Sequence, residues 1–184
     1  MRQSPHKSSK TVIFVQEPSG ALVENLIAVA ANATIGPIRL GQTFSETVRL
    51  LGNPHRLGFH YDDMFDGTLV YGPAEIFVQI IDNNVSSYLV QLHLFKRSRG
   101  RHLRVGNHVS FDRPKRSELG YERVQKTMLD AGISFKLNSP EKIKNGMHPL
   151  MQFNDNVRFY FLPFGPRGSL QLGYIELADY TKDL

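Results

Sequence analysis

The chain has 184 residues, of which 41% are hydrophobic, and a net charge of +5 at pH 7. This length fits one large domain or two small ones, and the apolar content is sufficient for a packed core. Cysteine is absent, which excludes disulfide bonds, thiolate catalysis and zinc sites built on cysteine. No early segment has the apolar length of a signal peptide or a membrane-spanning helix, so we expect a cytoplasmic protein without membrane contacts.

The first 34 residues are predicted to form an N-terminal extension with one strand and one helix. The β-branched and aromatic residues at 11–15 are typical of a strand. Apolar residues at helical spacing predict a helix at 21–31. The Gly36-Pro37 pair excludes a helix through the next stretch, 35–40, which is therefore predicted to be extended.

A short helix is predicted between two turn signals. Thr43 or Ser45 can cap its start, and Glu46 suits its first turn. Gly52 supplies a left-handed terminus, and Pro54 prevents the helix from continuing. Its apolar side chains Phe44, Val48 and Leu51 are predicted to share one face of the helix.

The stretch 57–67 is predicted to be a loop or irregular strand that combines three aromatic residues, a methionine and three aspartates. Aromatic residues beside charges are typical of interface hot spots, so we expect this loop to contact a protein partner. The predicted contact residues are Phe59, Tyr61, Asp62, Asp63, Phe65 and Asp66. The three aspartates could bind a hard cation, but their spacing does not match an EF-hand loop and no glutamate closes it, so no metal is predicted.

Three strands are predicted next, at 68–71, 75–81 and 86–95. Gly72-Pro73 marks the first turn between them, and the Asp-Asn-Asn sequence at 82–84 marks the second. The third strand shows a period-2 alternation of its side chains.

The positive charge is concentrated in the segment that follows. Residues 96–126 contain ten lysines and arginines and three acids, a net charge of +7 that leaves −2 for the rest of the chain. Residues 96–118 are predicted to be a long connection with one short strand at 108–111. They could neutralise nucleic-acid phosphates, although a solvated or partner-facing segment has the same composition. The candidate nucleic-acid contacts are Arg97, Arg99, Arg101, Arg104, Arg113, Lys115 and Arg116.

A helix followed by three strands is predicted again in the last third of the chain. The helix covers 120–131 and ends at Gly132. The side chains predicted to point inward from it are Tyr121, Val124, Met128 and Leu129. The strands are predicted at 150–153, 157–162 and 170–177.

The order helix, loop and three strands therefore occurs twice, at 43–95 and at 120–178. One such unit alone would expose a sheet face, and packing two units together would bury both. We predict an α+β fold of two tandem helix-plus-antiparallel-β-meander units packed together. Its predicted divisions are the extension 1–34, the first unit 35–95, the basic connection 96–119 and the second unit 120–184.

The sequence contains no nucleophile elbow, Walker loop or dinucleotide fingerprint. His93, His102 and His108 lie in or near one segment, but no spacing among them is diagnostic of a metal site and no positioned partner for a general base is visible. We therefore predict a protein that is not an enzyme and that needs no cofactor. A hydrolytic enzyme that uses these histidines with the aspartates of 59–66 is kept as an alternative.

The run Leu40-Gly41-Gln42-Thr43 followed by Leu51-Gly52-Asn53-Pro54 resembles the pattern of a broad superfamily. That superfamily includes the small lipoprotein of the outer-membrane β-barrel assembly machine and the β-lactamase inhibitor proteins, which carry two tandem helix-plus-sheet units. Similar segments are found in bacterial immunity proteins encoded beside polymorphic toxins. The lack of a lipidated cysteine and of disulfide cysteines departs from the lipoprotein and from a secreted inhibitor.

The resemblance thus implies an intracellular immunity protein that binds a cognate toxin and blocks its active site or substrate path, with no catalytic residue of its own. Inhibitors of nucleases are often acidic because they imitate nucleic acid, whereas this chain is basic, so an acidic or non-nuclease target is more natural. The alternative partner is nucleic acid, bound through residues 96–116.

Overall fold

The computed structural model describes residues 22–59, 66–81, 84–95, 102–112, 115–137, 149–164 and 168–178, with only the backbone described at 22–25, 59, 81, 102 and 110–112. The fold is α+β, with three helices and an eight-stranded antiparallel sheet in this part of the chain. None of the described helices has the length and hydropathy needed to cross a membrane. The strand predicted at 11–15 lies outside the described residues.

The helices are α1 (Leu22–Asn32), α2 (Phe44–Leu51) and α3 (Tyr121–Asp130), with one 3-10 turn at Arg116–Glu118. The first six strands are β1 (Thr34–Ile35), β2 (Ile38–Arg39), β3 (Arg56–Phe59), β4 (Gly67–Tyr71), β5 (Ala74–Ile81) and β6 (Asn84–His93). The last six are β7 (His102–Val105), β8 (Val109–Asp112), β9 (Lys136–Leu137), β10 (Leu150–Phe153), β11 (Val157–Leu162) and β12 (Gln171–Ala178).

The large sheet has the strand order β3-β4-β5-β6-β12-β11-β10-β9. Its two central strands, β6 and β12, pair with each other although they are far apart in sequence. The short strands β1 and β2 form one hairpin, and β7 and β8 form another. One row of register partners crosses all eight strands: Arg56, Val70, Glu75, Gln91, Glu176, Arg158, Gln152 and Lys136.

One face of the sheet is aliphatic and aromatic and lies under α2 and α3. Its side chains alternate with those of the row just named and are almost fully buried, as strand geometry requires. The Tyr121 ring of α3 packs edge-on against Phe161, with 4.9 Å between ring centroids. The Tyr71 hydroxyl donates a hydrogen bond to the Gly52 carbonyl at the end of α2, at 3.1 Å. The buried members of this face include Leu69, Ala74, Ile76, Val90, Leu92, Met151, Phe153, Phe159, Ile175 and Leu177.

Helix α2 confirms the predicted start and stop signals. Thr43 Oγ1 accepts a hydrogen bond from the Glu46 amide, and Glu46 Oε2 accepts one from the Thr43 amide at 2.9 Å, which completes a capping box. These bonds from Thr43 lower the pKa of Glu46, because they stabilise its charged form. Gly52 follows the helix with a φ of 80°. The face that carries Phe44, Val48 and Leu51 is buried unevenly: Leu51 is completely buried and Phe44 is 38% exposed, while Thr47 is also buried.

The segment 96–118 is more structured than predicted. Instead of a long connection with one strand, it contains the hairpin of β7 and β8, whose side chains Leu103, Val105 and Val109 are buried. The hairpin packs on the end of α2, where the Asn107 amide donates a hydrogen bond to the Leu51 carbonyl at 2.8 Å. Only β8 was anticipated, because the basic residues around β7 concealed its short apolar alternation.

Three further corrections concern local structure. The stretch 35–40 is a hairpin turn between β1 and β2 and not a single extended piece. The region 57–67 begins with a regular strand, β3, that forms one edge of the large sheet. On α3, Val124 and Met128 are buried as predicted, but Leu129 is 60% exposed.

Candidate functional site: the polar face of the sheet

The sheet face opposite α2 and α3 carries most of the polar and tyrosine side chains of the central strands. We call it the polar face and define it by Glu75, Phe77, Leu89, Gln91, His93, Leu150, Gln152, Arg158, Tyr160, Leu162, Tyr174 and Glu176. Apart from Glu176, these side chains are half-buried, whereas their neighbours on the helix-covered face are almost completely buried. Because strand side chains alternate between the two sides of the sheet, one face is apolar and packs against the helices, and the other carries polar, charged and aromatic groups.

Glu176 lies at the centre of the polar face and is only 7% exposed. Its Oε2 accepts a hydrogen bond from Gln91 Nε2 at 2.7 Å, and its Oε1 accepts one from the Tyr160 hydroxyl at 3.0 Å. Arg158 is its direct cross-strand partner on β11. A buried carboxylate is tolerated when its oxygens are bonded and a cation is near, so this network fixes the positions of all four side chains.

Two tyrosines extend the network along the face. The rings of Tyr160 and Tyr174 are stacked, with 4.4 Å between centroids and 10° between ring planes. The His93 ring lies 5.5 Å from that of Tyr174. His93 Nε2 is 3.8 Å from Glu75 Oε2, so the histidine connects the tyrosine pair to an acid on β5. The result is a continuous polar and aromatic patch across β5, β6, β12 and β11.

Burial changes the acidity of these tyrosines. It raises the pKa of Tyr160 to about 12, and the negative charge of Glu176 acts in the same direction. The pKa of Tyr174 is also raised by burial, with further contributions from Tyr160 and Glu176. Both hydroxyls are therefore protonated at neutral pH and act as neutral hydrogen-bonding groups.

We expect Tyr160 to make folding stability depend on pH in the alkaline range. Its pKa is about 12 in the folded protein and about 10 in an unfolded chain. The neutral hydroxyl thus favours the folded state, a contribution that is complete below about pH 10 and lost as the pH rises toward 12. Urea unfolding across this range should show a smaller loss of stability for Tyr160→Phe than for wild type. Identical pH profiles would contradict this expectation.

The predicted contact loop is described only at its two ends. Phe59 is the last residue of β3, and Asp66 immediately precedes β4. Asp66 is exposed, and its Oδ2 accepts a hydrogen bond from the Ile80 amide at 2.6 Å, so part of its role is to hold the backbone of β5. The other predicted contacts, Tyr61, Asp62, Asp63 and Phe65, lie outside the described residues.

The predicted nucleic-acid contacts that the structure describes are three. Arg104 is exposed on β7, and Lys115 and Arg116 are exposed at the 3-10 turn before α3. The guanidinium of Arg116 lies 5.8 Å from the ring centroid of Phe95. Arg97, Arg99, Arg101 and Arg113 lie outside the described residues.

The histidines considered for catalysis do not come together where they are described. His93 is on the polar face, whereas His108 is in the exposed turn of the hairpin packed on α2, and only the backbone of His102 is described. A surface recess of about 400 Å³ beside α3 has no histidine in its wall, which is formed by Gly120, Tyr121, Glu122, Arg123, Ser169 and Leu170. Within the described ranges, no three His, Asp or Glu side chains are placed to hold a metal ion.

The residues at the centre of the polar face were not singled out from the sequence. A signal was present: Arg158 and Tyr160 alternate with Val157, Phe159 and Phe161 along β11. That alternation indicates one apolar and one polar face. It could not show that Gln91, 85 positions before Glu176, would pair with it.

Comparisons of this chain with protein-family models, with curated proteins and with solved structures find no match. Its function is therefore inferred from the arrangement of its own residues. The polar face, built around the hydrogen bonds of Glu176 and the stacked pair Tyr160 and Tyr174, is the candidate functional site.

Proposed function

We propose that this protein is a non-enzymatic binding module, an intracellular immunity protein that blocks a cognate bacterial toxin with the polar face of its sheet. The observation that carries the proposal is the continuity of that face across the central β6–β12 pair. A partner docked there would contact strands from both halves of the chain. The resemblance to inhibitors with two tandem units also leads us to propose that the two halves are units of one kind, for which three features give support.

The first supporting feature is the strand order. Each half contributes a helix followed by four strands, α2 with β3 to β6 and α3 with β9 to β12. In the sheet these strands appear in mirrored order on either side of the centre. Two similar meanders that meet through their last strands produce such an order.

The second feature is a matched pair of irregularities. Between β5 and β6 the register shifts so that Tyr88 is an extra residue, and between β11 and β12 it shifts so that Gly173 is an extra residue. In both halves the bulged strand is the last one. Bulges of this kind are features that related folds retain, so their equivalent positions favour a duplicated unit.

The third feature is the connection into each helix. Thr43, just before α2, bridges to Ser86 on β6, and Gly120, just before α3, bridges to Gln171 on β12. Each bridged residue lies two positions before the extra residue of its strand. By the same alignment, Gln91 and Glu176 are equivalent positions, and they pair with each other at the centre of the polar face.

The polar face offers the residue types and part of the area of a protein interface. Its defining residues lie on five adjacent strands, which span about 19 Å at a spacing of about 4.8 Å, and these strands of four to ten residues are about 13–34 Å long. The product, roughly 400 Å², is about half of the roughly 800 Å² that each partner contributes to a standard interface, so a partner would also contact residues around the face. The stacked tyrosines and the arginine are residue types enriched in hot spots, and ring stacking together with the hydrogen bond of Tyr160 to Glu176 holds the tyrosine pair in place before binding.

The proposal is tested with the product of the neighbouring gene as the candidate toxin. We expect the two purified proteins to form a complex by calorimetry, and co-expression to relieve the toxicity. Gln152→Arg and Leu162→Arg place a bulky charge on the polar face. Each should weaken binding at least tenfold, which corresponds to about 1.4 kcal/mol.

Leu129→Arg, on the exposed side of α3, is the matched control and should bind like wild type. Circular dichroism and thermal unfolding show whether each variant is folded. If both polar-face variants bind the partner as tightly as wild type, the interface lies on another surface of the protein. The absence of any complex and of any relief from toxicity would refute the immunity function.

A further inference from the structure

An aromatic pair lies just beyond the ends of β6 and β11. The rings of Phe95 and Phe164 meet edge to face, with 5.2 Å between their centroids. The Arg116 guanidinium lies over the Phe95 ring, 5.8 Å from its centroid. These contacts join the three side chains into one cluster, and we call Phe95, Phe164 and Arg116 the aromatic end.

The aromatic end borders the polar face. Phe95 follows the polar-face residue His93 by two positions in the chain. Phe164 follows the polar-face residue Leu162 in the same way. Two residues of chain span at most about 7 Å, so both rings start within that distance of the polar face. Because the rings also contact each other, the two surfaces are neighbouring parts of the molecule.

The 3-10 turn that carries Arg116 is attached to the start of β12. Gln171 Nε2 donates a hydrogen bond to the Arg116 carbonyl at 3.4 Å. At the other end of the turn, the Leu172 amide donates one to the Leu119 carbonyl at 2.8 Å. The backbone that carries Arg116 is therefore positioned in the free protein, which lowers the entropic cost of using this arginine in an interface.

Packing within the fold explains Phe95 but not Phe164. Phe95 is half-buried and packs against the hydrophobic core. Phe164 is 47% exposed, and both Arg116 and its neighbour Lys115 are exposed cations. A single exposed apolar side chain is ordinary on a protein surface. An exposed aromatic ring beside an arginine combines two residue types that are enriched in protein interfaces.

The position of Phe164 distinguishes it from the other exposed large apolar side chains of the described residues. Phe44 and Leu129 are on helices, and the remaining three are on strands, at positions that alternate with the polar face. Those three are Leu57, Ile80 and Leu137. Of the six, Phe164 alone directly follows a residue of the polar face by two positions.

We propose that the partner bound at the polar face also contacts the aromatic end, where it places an apolar side chain against Phe164 and an acidic group near Arg116. The polar face supplies roughly half of the area of a standard interface, so such a partner needs adjoining contacts. An acidic group complements Lys115 and Arg116, which belong to the segment 96–126 of net charge +7. This inference rests on the proposed function, because it extends the same interface.

The test measures binding rates of the purified product of the neighbouring gene by surface plasmon resonance. Phe164→Ala should raise the dissociation rate at least tenfold, because truncating an aromatic anchor acts mainly on the lifetime of a complex. Arg116→Ala should lower the association rate several-fold at about 50 mM salt, since a charge at an interface rim steers the encounter. That difference should disappear at about 0.5 M salt, where screening is strong.

Phe44→Ala and Arg49→Ala are the matched controls. Phe44 is an exposed phenylalanine at the start of α2, and Arg49 is an exposed arginine in the last turn of that helix. Each control removes the same atoms as its counterpart and should bind with wild-type rates. Thermal unfolding shows whether every variant is folded. Arg116→Ala changes an exposed side chain outside the core, so it tests the site even if Phe164→Ala lowers stability.

Four outcomes would overturn the inference. If Phe164→Ala and Arg116→Ala bind with wild-type rates while Gln152→Arg weakens the complex, the proposed function stands without the aromatic end. Equal effects of Phe164→Ala and Phe44→Ala would assign the loss to stability. An unchanged salt dependence in Arg116→Ala would exclude the acidic group. The absence of any complex would refute the proposed function, and this inference with it.

Discussion

Replacing Gly106 by alanine is expected to lower the free energy of unfolding by about 3 kcal/mol or more. Gly106 has a φ of 68°, a conformation that costs an L-residue about 1–2 kcal/mol. A Cβ atom at this position would also overlap the Leu51 carbonyl oxygen at the end of α2. Because that oxygen belongs to the backbone, it cannot move aside as a flexible side chain would. The hairpin would have to separate from α2 to accommodate the methyl group.

Gly132→Ala is the matched control for this prediction. Gly132 has a nearly identical φ of 70°, but an added Cβ would meet no atom within 4 Å. It should therefore cost only the conformational strain of about 1–2 kcal/mol. Urea unfolding of the two variants separates strain from overlap. If Gly106→Ala lowers the free energy of unfolding no more than Gly132→Ala does, the hairpin does not pack closely on α2.

Replacing Met128 by alanine is expected to cost about 3 kcal/mol, whereas the adjacent Leu129→Ala should change stability by less than about 0.5 kcal/mol. Met128 is completely buried under α3 and Leu129 is 60% exposed. Truncating a buried side chain removes apolar contacts and leaves a cavity, while truncating an exposed one does neither.

Thermal and urea unfolding of these two variants tests the rotation of α3 on the sheet. The comparison is demanding because the residues are consecutive and similar in size. Alanine is as good a helix former as either residue, so helix propensity does not favour one outcome. If Leu129→Ala lowers the stability more than Met128→Ala does, α3 is rotated so that Leu129, and not Met128, faces the sheet.

Local structure was predicted well where a few neighbouring residues decide it. The cap at Thr43, the stop at Gly52 and the helix 120–131 all depend on contacts within four residues, and the structure contains them. The strands at 68–71, 75–81, 150–153 and 157–162 also occur close to their predicted bounds. Leu129 was misassigned because apolar spacing identifies a helical face only to within one residue at the end of a helix.

The candidate site was much less predictable than the elements. Sequence reasoning pointed to the loop 59–66, because its aromatic and acidic residues are adjacent in the chain. The polar face is assembled instead from residues that are far apart, such as Gln91 and Glu176. Within its own strand, each of these residues is an ordinary polar residue in an alternating pattern, so the neighbouring sequence gives no indication of its partner on the other strand.

The sequence by itself determined the α+β class and the helix boundaries near Thr43 and Gly132. These depend on backbone propensity, capping and side-chain periodicity, all of which act over short distances along the chain. Only the tertiary structure decided that β6 pairs with β12 and that the β7–β8 hairpin closes on the end of α2. Both are long-range contacts, in which buried surface and backbone hydrogen bonds outweigh the entropy of closing the chain. The first contact produces the polar face, and the second fixes the hairpin against the end of α2.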